Sequence, residues 1–140
     1  MLRDLHLERY ADVLLWGLRT SRRERFKKGD VILIQYDRAA VRLAEMLYDR
    51  IVAAGMNVVQ RQGLTAAMEH SFFGKAKGRQ LTFIAPGEKE FIGSLHGRIY
   101  LHAPESLTHL SKIDPSRIGK AQLARKPLRG TVAANVERFG

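Results

Sequence analysis

A chain of 140 residues, 45% hydrophobic and 27% charged, has the length of one domain and the composition of an ordinary globular protein, which excludes disordered, fibrous and low-complexity classes. It has no cysteine, which rules out disulfides, thiolate chemistry and Cys-type zinc sites and fits a reducing compartment. The unusual bulk property is a net charge of +10, enough to steer a polyanion.

Charges interrupt Met1 to Tyr10 every few residues, unlike the apolar core of a signal peptide. The unbroken apolar runs are far shorter than a membrane span. A cytoplasmic location without a membrane partner is therefore expected. Apolar residues at helical spacing predict a helix from Asp4 to about Arg23. Leu7, Tyr10, Ala11, Leu14 and Leu18 form its stripe, which Leu5, Val13 and Trp16 widen, and Asp4 is its expected cap. Trp16 is assigned to packing rather than to an exposed contact. Lys28-Gly29-Asp30 then turns the chain.

Val31-Ile32-Leu33-Ile34 is a β-branched run suited to a strand covered on both faces. A helix follows from about Ala39 to Ala54, with Ala40, Leu43, Ala44, Leu47, Tyr48 and Ile51 on its core face and Gly55 as its left-handed cap. Asn57 to Arg61 gives a second strand. Strand, helix and strand in this order make a βαβ unit with parallel strands and a right-handed crossover.

Leu64, Ala67, Met68 and Phe72 predict a further helix, and Glu88 to Leu95 another after the Pro86-Gly87 break. Between them Leu81 to Ile84 reads as either a strand or a helical turn. Gly97 to His102 is a third strand. Asp114-Pro115 opens a helix that Pro127 is expected to end at about Lys126. Leu128 to Gly140 carries no strong pattern. The fold class is α/β, a small Rossmann-like three-layer domain with a short, mainly parallel sheet flanked by helices.

The turn Gln35 to Ala40 holds no glycine, so neither a dinucleotide fingerprint nor a P-loop is present. The histidines His6, His70, His96, His102 and His109 show no metal-ligand spacing, and Glu69-His70 is a lone adjacent pair. His102, Glu105 and His109 are close enough in sequence to converge, and read as a hydrogen-bonded loop cluster before a ligand set. Ser71, Ser94, Ser106 and Ser111 lack a nucleophile elbow, and Ser106 reads as a helix cap. Glu88 and Glu90 sit in a charged, surface-like stretch, while Met46 and Met68 are read as packing. No catalytic, cofactor-binding or metal-binding residue is assigned.

The basic residues fall in two sets. Arg19, Arg22, Arg23, Arg25, Lys27 and Lys28 crowd one short segment with Glu24 the only acid, and Lys112, Arg117, Lys120, Arg125, Lys126 and Arg129 are more dilute. They suit solvated helix ends or, with no recognition module beside them, a polyanion.

Ile99-Tyr100-Leu101-His102-Ala103-Pro104-Glu105-Ser106, followed by Ile113-Asp114-Pro115-Ser116-Arg117-Ile118 and Ala121-Gln122-Leu123-Ala124-Arg125-Lys126, resembles the amino-terminal domain of the thermophilic-aminopeptidase (aminopeptidase T-like) family. The earlier helix, Lys-Lys-Gly-Asp turn, buried strand and Ala-Gly-Met helix end agree in order. The resemblance covers about residues 5–130, and each motif in it is a packing or turn signal. It implies residues 1–130 as an aminopeptidase's amino-terminal domain and 131–140 as a linker toward a carboxyl-terminal catalytic domain. The implied enzyme removes amino-terminal residues from peptides with two divalent ions, zinc or cobalt, which activate a water and polarise the scissile carbonyl. In the family the Glu, His and Asp ligands and a catalytic Tyr belong to that other domain, so none transfers to this chain. The resemblance also implies a homodimeric parent, and a nucleic-acid partner is not expected where no recognition module accompanies the charge. Two other readings stand beside it. One is a free-standing basic module that binds RNA or another polyanion through Arg19 to Lys28. The other is activity of this chain through His102, Glu105 and His109.

Overall fold

Ile32, Leu33 and Ile34 are completely buried, and they occupy the centre of the sheet. In the computed structural model, which describes residues 4–21, 25–129 and 136–139, β1 (Val31–Tyr36) is flanked by β2 (Asn57–Gln62) and β3 (Gly97–Leu101). A fourth strand, β4 (Val136–Phe139), adds to β3, giving the order β2-β1-β3-β4 with every pair parallel. A strand with neighbours on both sides and helices on both faces has no solvent face, so its apolar run is continuous rather than alternating.

One layer is formed by α1 (Asp4–Thr20) and α2 (Val41–Ala53). Leu7, Ala11, Leu14, Leu15 and Leu18 of α1 meet Leu43, Ala44, Leu47 and Ile51 of α2 over Ile32, Ile34, Ile99 and Leu101 of the sheet. Burying each larger aliphatic side chain contributes roughly 1.5–3 kcal/mol, so this cluster is the main source of stability. On the other face Leu33 packs with Ile92 and Leu95, in and just after α5 (Glu88–Gly93). That layer is completed by α3 (Ala66–Lys75), the short α4 (Gly78–Leu81) and α6 (Pro115–Arg129). The architecture is the expected three-layer α/β domain, and the predicted βαβ unit is β1-α2-β2.

Two glycines make the turns that feed the sheet. Gly29 and Gly55 lie at φ 86° and 90°, the left-handed region in which a side chain is strained. At Gly55 the helix end is closed by bonds from Gly55 N to Val52 O (2.9 Å) and from Met56 N to Ile51 O (3.3 Å), a Schellman arrangement.

The dilute basic set has a structural role. Arg117 donates to Phe73 O at 2.7 Å and to Ala76 O, and Arg125 to Leu81 O at 3.1 Å and Phe83 O at 3.3 Å. These cations tie α6 to the carboxyl ends of α3 and α4, where unpaired carbonyls and the helix dipole favour positive charge. Asp114 accepts from Ser116 N at 2.9 Å, as a cap before Pro115 should.

Several expected contacts differ. Leu5, Tyr10, Val13 and Trp16 are exposed, Trp16 at 67%, because Leu7, Ala11, Leu14 and Leu18 fix the buried stripe. Two residues from Leu14 and Leu18, Trp16 is turned about 200° away from both. Tyr48 and Met68 are also exposed, whereas Met46 packs against the main cluster. Leu81 closes α4, so the segment to Ile84 is a helical turn and not a strand. The last helix runs through Pro127 to Arg129, and α1 stops at Thr20. Val136–Phe139, within the segment read as a linker, is the fourth strand of the sheet.

Candidate functional site

The chain leaves β1 through α2 to reach β2 on one side, and β3 lies on the other. The loops after β1 and β3 therefore diverge, and the carboxyl edge between them is the topological switch point where α/β sheets bind ligands. A cavity of about 210 Å³ opens there, with Asp37, Glu69, His102, Glu105 and His109 in its wall. It is smaller than the roughly 300 Å³ at which pockets begin to enclose drug-sized ligands, so its scale is that of an ion or a small polar group.

Asp37 is its organising residue. It follows β1 directly, its N–H donates to Leu101 O at 3.0 Å, and its Oδ2 accepts from Ala103 N at 2.8 Å. One residue thus staples the end of β1 to the end of β3 through both backbone and side chain. His102 Nδ1 lies 3.2 Å from the same oxygen, with its ring edge-on to Tyr100 at 5.6 Å. On the other flank Gly63 N donates to Tyr36 O at 2.8 Å. A Cβ built on Gly63 would stand 2.9 Å from Asp37 Oδ1, so the absent side chain is what lets the loop after β2 close on the carboxylate.

The loop from His102 to Asp114 is held by two further side-chain contacts. Glu105 accepts from Arg38 Nε at 3.0 Å and from its terminal nitrogen, and this hydrogen bond holds the guanidinium above its ordinary range. His109 Nε2 lies 3.1 Å from Glu69 Oε1 of α3, and its Nδ1 is buried without a hydrogen-bond partner. Nearby, Arg98 donates to Gln35 Oε1 at 3.0 Å. Burial lowers its pKa, and its Nε is buried and unpartnered.

The structure therefore brings His102, Glu105 and His109 to one cavity but gives each a different partner. Among the described residues no group of three or more His, Asp or Glu is placed to hold a metal ion. His6 and His70 are exposed and apart. His96 sits at the opposite edge of the sheet, where its Nδ1 accepts from Val31 N at 2.9 Å. Ser106 caps a turn, accepting from Thr108 N at 3.3 Å, rather than a helix. Ser94 bonds Phe91 O at 2.7 Å, Glu88 pairs with Arg61 at 2.8 Å, and Glu90, Ser71 and Ser111 are exposed. Asp37 and Glu69 are the wall residues that sequence reading missed as partners. For Asp37 a signal existed, because it is the first residue after the most buried strand. Of the concentrated basic segment, Arg19, Arg25, Lys27 and Lys28 line a separate cleft, while Arg22 and Arg23 lie outside the described residues.

Comparison with known proteins adds a family and a fold. The model of the family described as thermophilic metalloprotease (M29) matches residues 3–139. No curated protein matches the chain. Among solved structures, wild-type AmpT from Thermus thermophilus aligns with a TM-score of 0.66 and 15% identity, covering 97% of this chain and 36% of that one. At that identity the likeness is one of fold, and the chain spans about a third of AmpT's length.

Proposed function

Because the chain belongs to the thermophilic metalloprotease (M29) family, that of aminopeptidase T, we propose that it is the non-catalytic amino-terminal domain of a metal-dependent aminopeptidase. In this reading the parent enzyme removes amino-terminal residues from peptides, and this domain frames access to a metal centre built elsewhere in the protein. The observation that carries the reading is a family match from residue 3 to 139 in a chain that spans about a third of AmpT's length.

The metal that the family implies does not fit the cavity residues, because a divalent ion needs several ligands converging on one point. Here the side chains fall into separate pairs: Asp37 Oδ2 with the Ala103 amide and His102, Glu105 with Arg38, and Glu69 with His109. Releasing them would unfasten the loop from His102 to Asp114. The zinc or cobalt pair is accordingly assigned to a carboxyl-terminal catalytic domain, with residues 1–130 as the framing unit. The carboxyl edge of the sheet suits contact with such a domain: Leu64 in the cavity wall and Leu107 beside it are 56% and 89% exposed, more apolar surface than a polar loop needs. A cytoplasmic, homodimeric parent completes the reading. No helix among the described residues is long and apolar enough to cross a membrane.

The test begins with the gene. Sequence after Gly140 that encodes a domain rich in Glu, His and Asp supports the reading, and its absence removes it. The full protein should then release amino-terminal residues from peptides, lose that activity to a chelator and regain it with zinc or cobalt. Chelator-resistant activity, or none in metal-loaded protein, would count against it.

A further inference from the structure

At the amino edge of the sheet, opposite the switch point, Arg19, Arg25, Lys27 and Lys28 line a cleft of about 410 Å³ between the carboxyl ends of α1 and α2. Among the described residues no carboxylate belongs to its wall. All four cations are exposed, and among the described residues none of their side chains has an ion-pair partner.

The simplest explanation is that they neutralise the two helix ends, and magnitudes decide against it. Each helix carboxyl end carries about half a negative charge, so two helices offset about one of the four cations. Nor are the cations needed as caps. The last carbonyls of α1 are taken by hydroxyls, Thr20 Oγ1 on Trp16 O at 3.0 Å and Ser21 Oγ on Leu18 O at 2.7 Å. Those of α2 are taken by the Gly55 and Met56 amides. By contrast, Arg117 and Arg125 do bond helix-end carbonyls, so this protein uses cations as caps elsewhere and not here. Asp30, whose Oδ2 accepts from Lys27 N at 2.7 Å, offsets about one more, so about two positive charges among the described residues remain uncompensated in one concave place, within a chain of net charge +10.

We propose that this cleft binds a run of phosphates, as presented by an oligophosphate or by the backbone of a single-stranded nucleic acid. The recognition is electrostatic. Phe26 in the wall packs against the core and is not free to stack on a base, so no sequence preference is expected.

The test is equilibrium binding of the full protein to a fluorescently labelled short single-stranded RNA over a range of salt, with tripolyphosphate and poly-glutamate as competitors. Four cation–phosphate contacts predict a slope of log affinity against log salt of about −3. The double variant K27A/K28A should reduce that slope by about half and leave thermal unfolding unchanged, since both side chains are exposed. Displacement by tripolyphosphate at the charge concentration of the RNA supports an oligophosphate ligand. RNA preferred over tripolyphosphate supports a nucleic-acid backbone. The proposal is overturned if no binding is seen at about 100 mM salt, if K27A/K28A leaves the slope unchanged, or if poly-glutamate of equal charge competes as well as either phosphate ligand. None of these outcomes depends on the aminopeptidase reading.

Discussion

Replacing Asp37 by alanine tests whether one carboxylate holds the switch-point loops together. Its Oδ2 accepts the Ala103 amide at 2.8 Å in a part-buried setting, and a hydrogen bond to a charged group contributes about 1.5–3 kcal/mol. The contact with His102, whose ring is 54% exposed, adds at most about 1 kcal/mol. The expected loss is therefore about 2–3 kcal/mol. At roughly 2.1 cal/mol/K per residue, 140 residues unfold with an entropy of about 0.3 kcal/mol/K, so Tm should fall by about 7–10 °C. Asp37→Asn keeps an oxygen for the Ala103 N–H but loses the charge, and should fall by only about 3 °C. Thermal unfolding followed by circular dichroism reads both. Gly63 supplies an internal control. It is not at positive φ, so Gly63→Ala is opposed mainly by the 2.9 Å approach of its Cβ to Asp37 Oδ1. That substitution should cost about 1 kcal/mol in the native protein and almost nothing beside Asp37→Ala, a coupling that a double-mutant cycle measures. A Tm for Asp37→Ala within about 2 °C of the native value, or an Asn variant less stable than the Ala variant, would refute the reasoning.

Gly97→Ala should cost about 1–3 kcal/mol, because its Cβ would stand 2.9–3.1 Å from the buried ends of Leu18, Ile32 and Phe26 in a core with no room to yield; urea unfolding checks it. Trp16→Ser should change stability by no more than about 0.5 kcal/mol, and iodide should quench the native fluorescence, since the only tryptophan is 67% exposed. Asp114 is held below the ordinary carboxylate range by the Ser116 backbone bond first and the Ser116 side chain second. Its folded pKa lies below its unfolded one, so its contribution is present above the unfolded value of about 3.9 and is lost as pH falls through the folded one. Asp114→Asn should therefore lower Tm slightly near neutrality, where that contribution is present, and flatten the acid limb of a Tm–pH profile so that variant and native protein converge as pH falls.

What the sequence disclosed and what it hid divide along physical lines. The run Val31 to Ile34 and the stripe on α2 were legible because burial on both faces, or on one helical face, writes itself into local composition. The turn glycines at 29 and 55 were legible because positive φ selects glycine. Trp16 was misjudged because a stripe defined by too many apolar residues wraps round the helix, and only packing against α2 chooses which side is buried. Leu81 to Ile84 stayed ambiguous because four residues carry no period. The switch-point pairs were hidden for a different reason. Asp37 meets Ala103 across 66 positions and Glu69 meets His109 across 40, and no local pattern encodes such distances. The histidine cluster was correctly brought near one place, yet its members' separate partners are a property of topology alone.

The two edges of the sheet thus differ in what their charges are free to do. At the carboxyl edge Asp37, Glu69 and Glu105 are all committed to partners that fasten loops, so substitution there should register as stability. At the amino edge the side chains of Arg19, Arg25, Lys27 and Lys28 make no hydrogen bond or ion pair among the described residues, so substitution there should register as binding. The six residues of β1 separate the two by roughly 20 Å, beyond the distance at which unconnected sites couple. Asp37→Ala combined with K27A/K28A should therefore show the Tm loss of the first and the salt-slope loss of the second, each unchanged by the other. If K27A/K28A lowers Tm by as much as Asp37→Ala does, the lysines are structural after all and the division between the two edges fails. If the two effects add cleanly, one parallel sheet carries a fastened frame at one end and an unspent binding surface at the other.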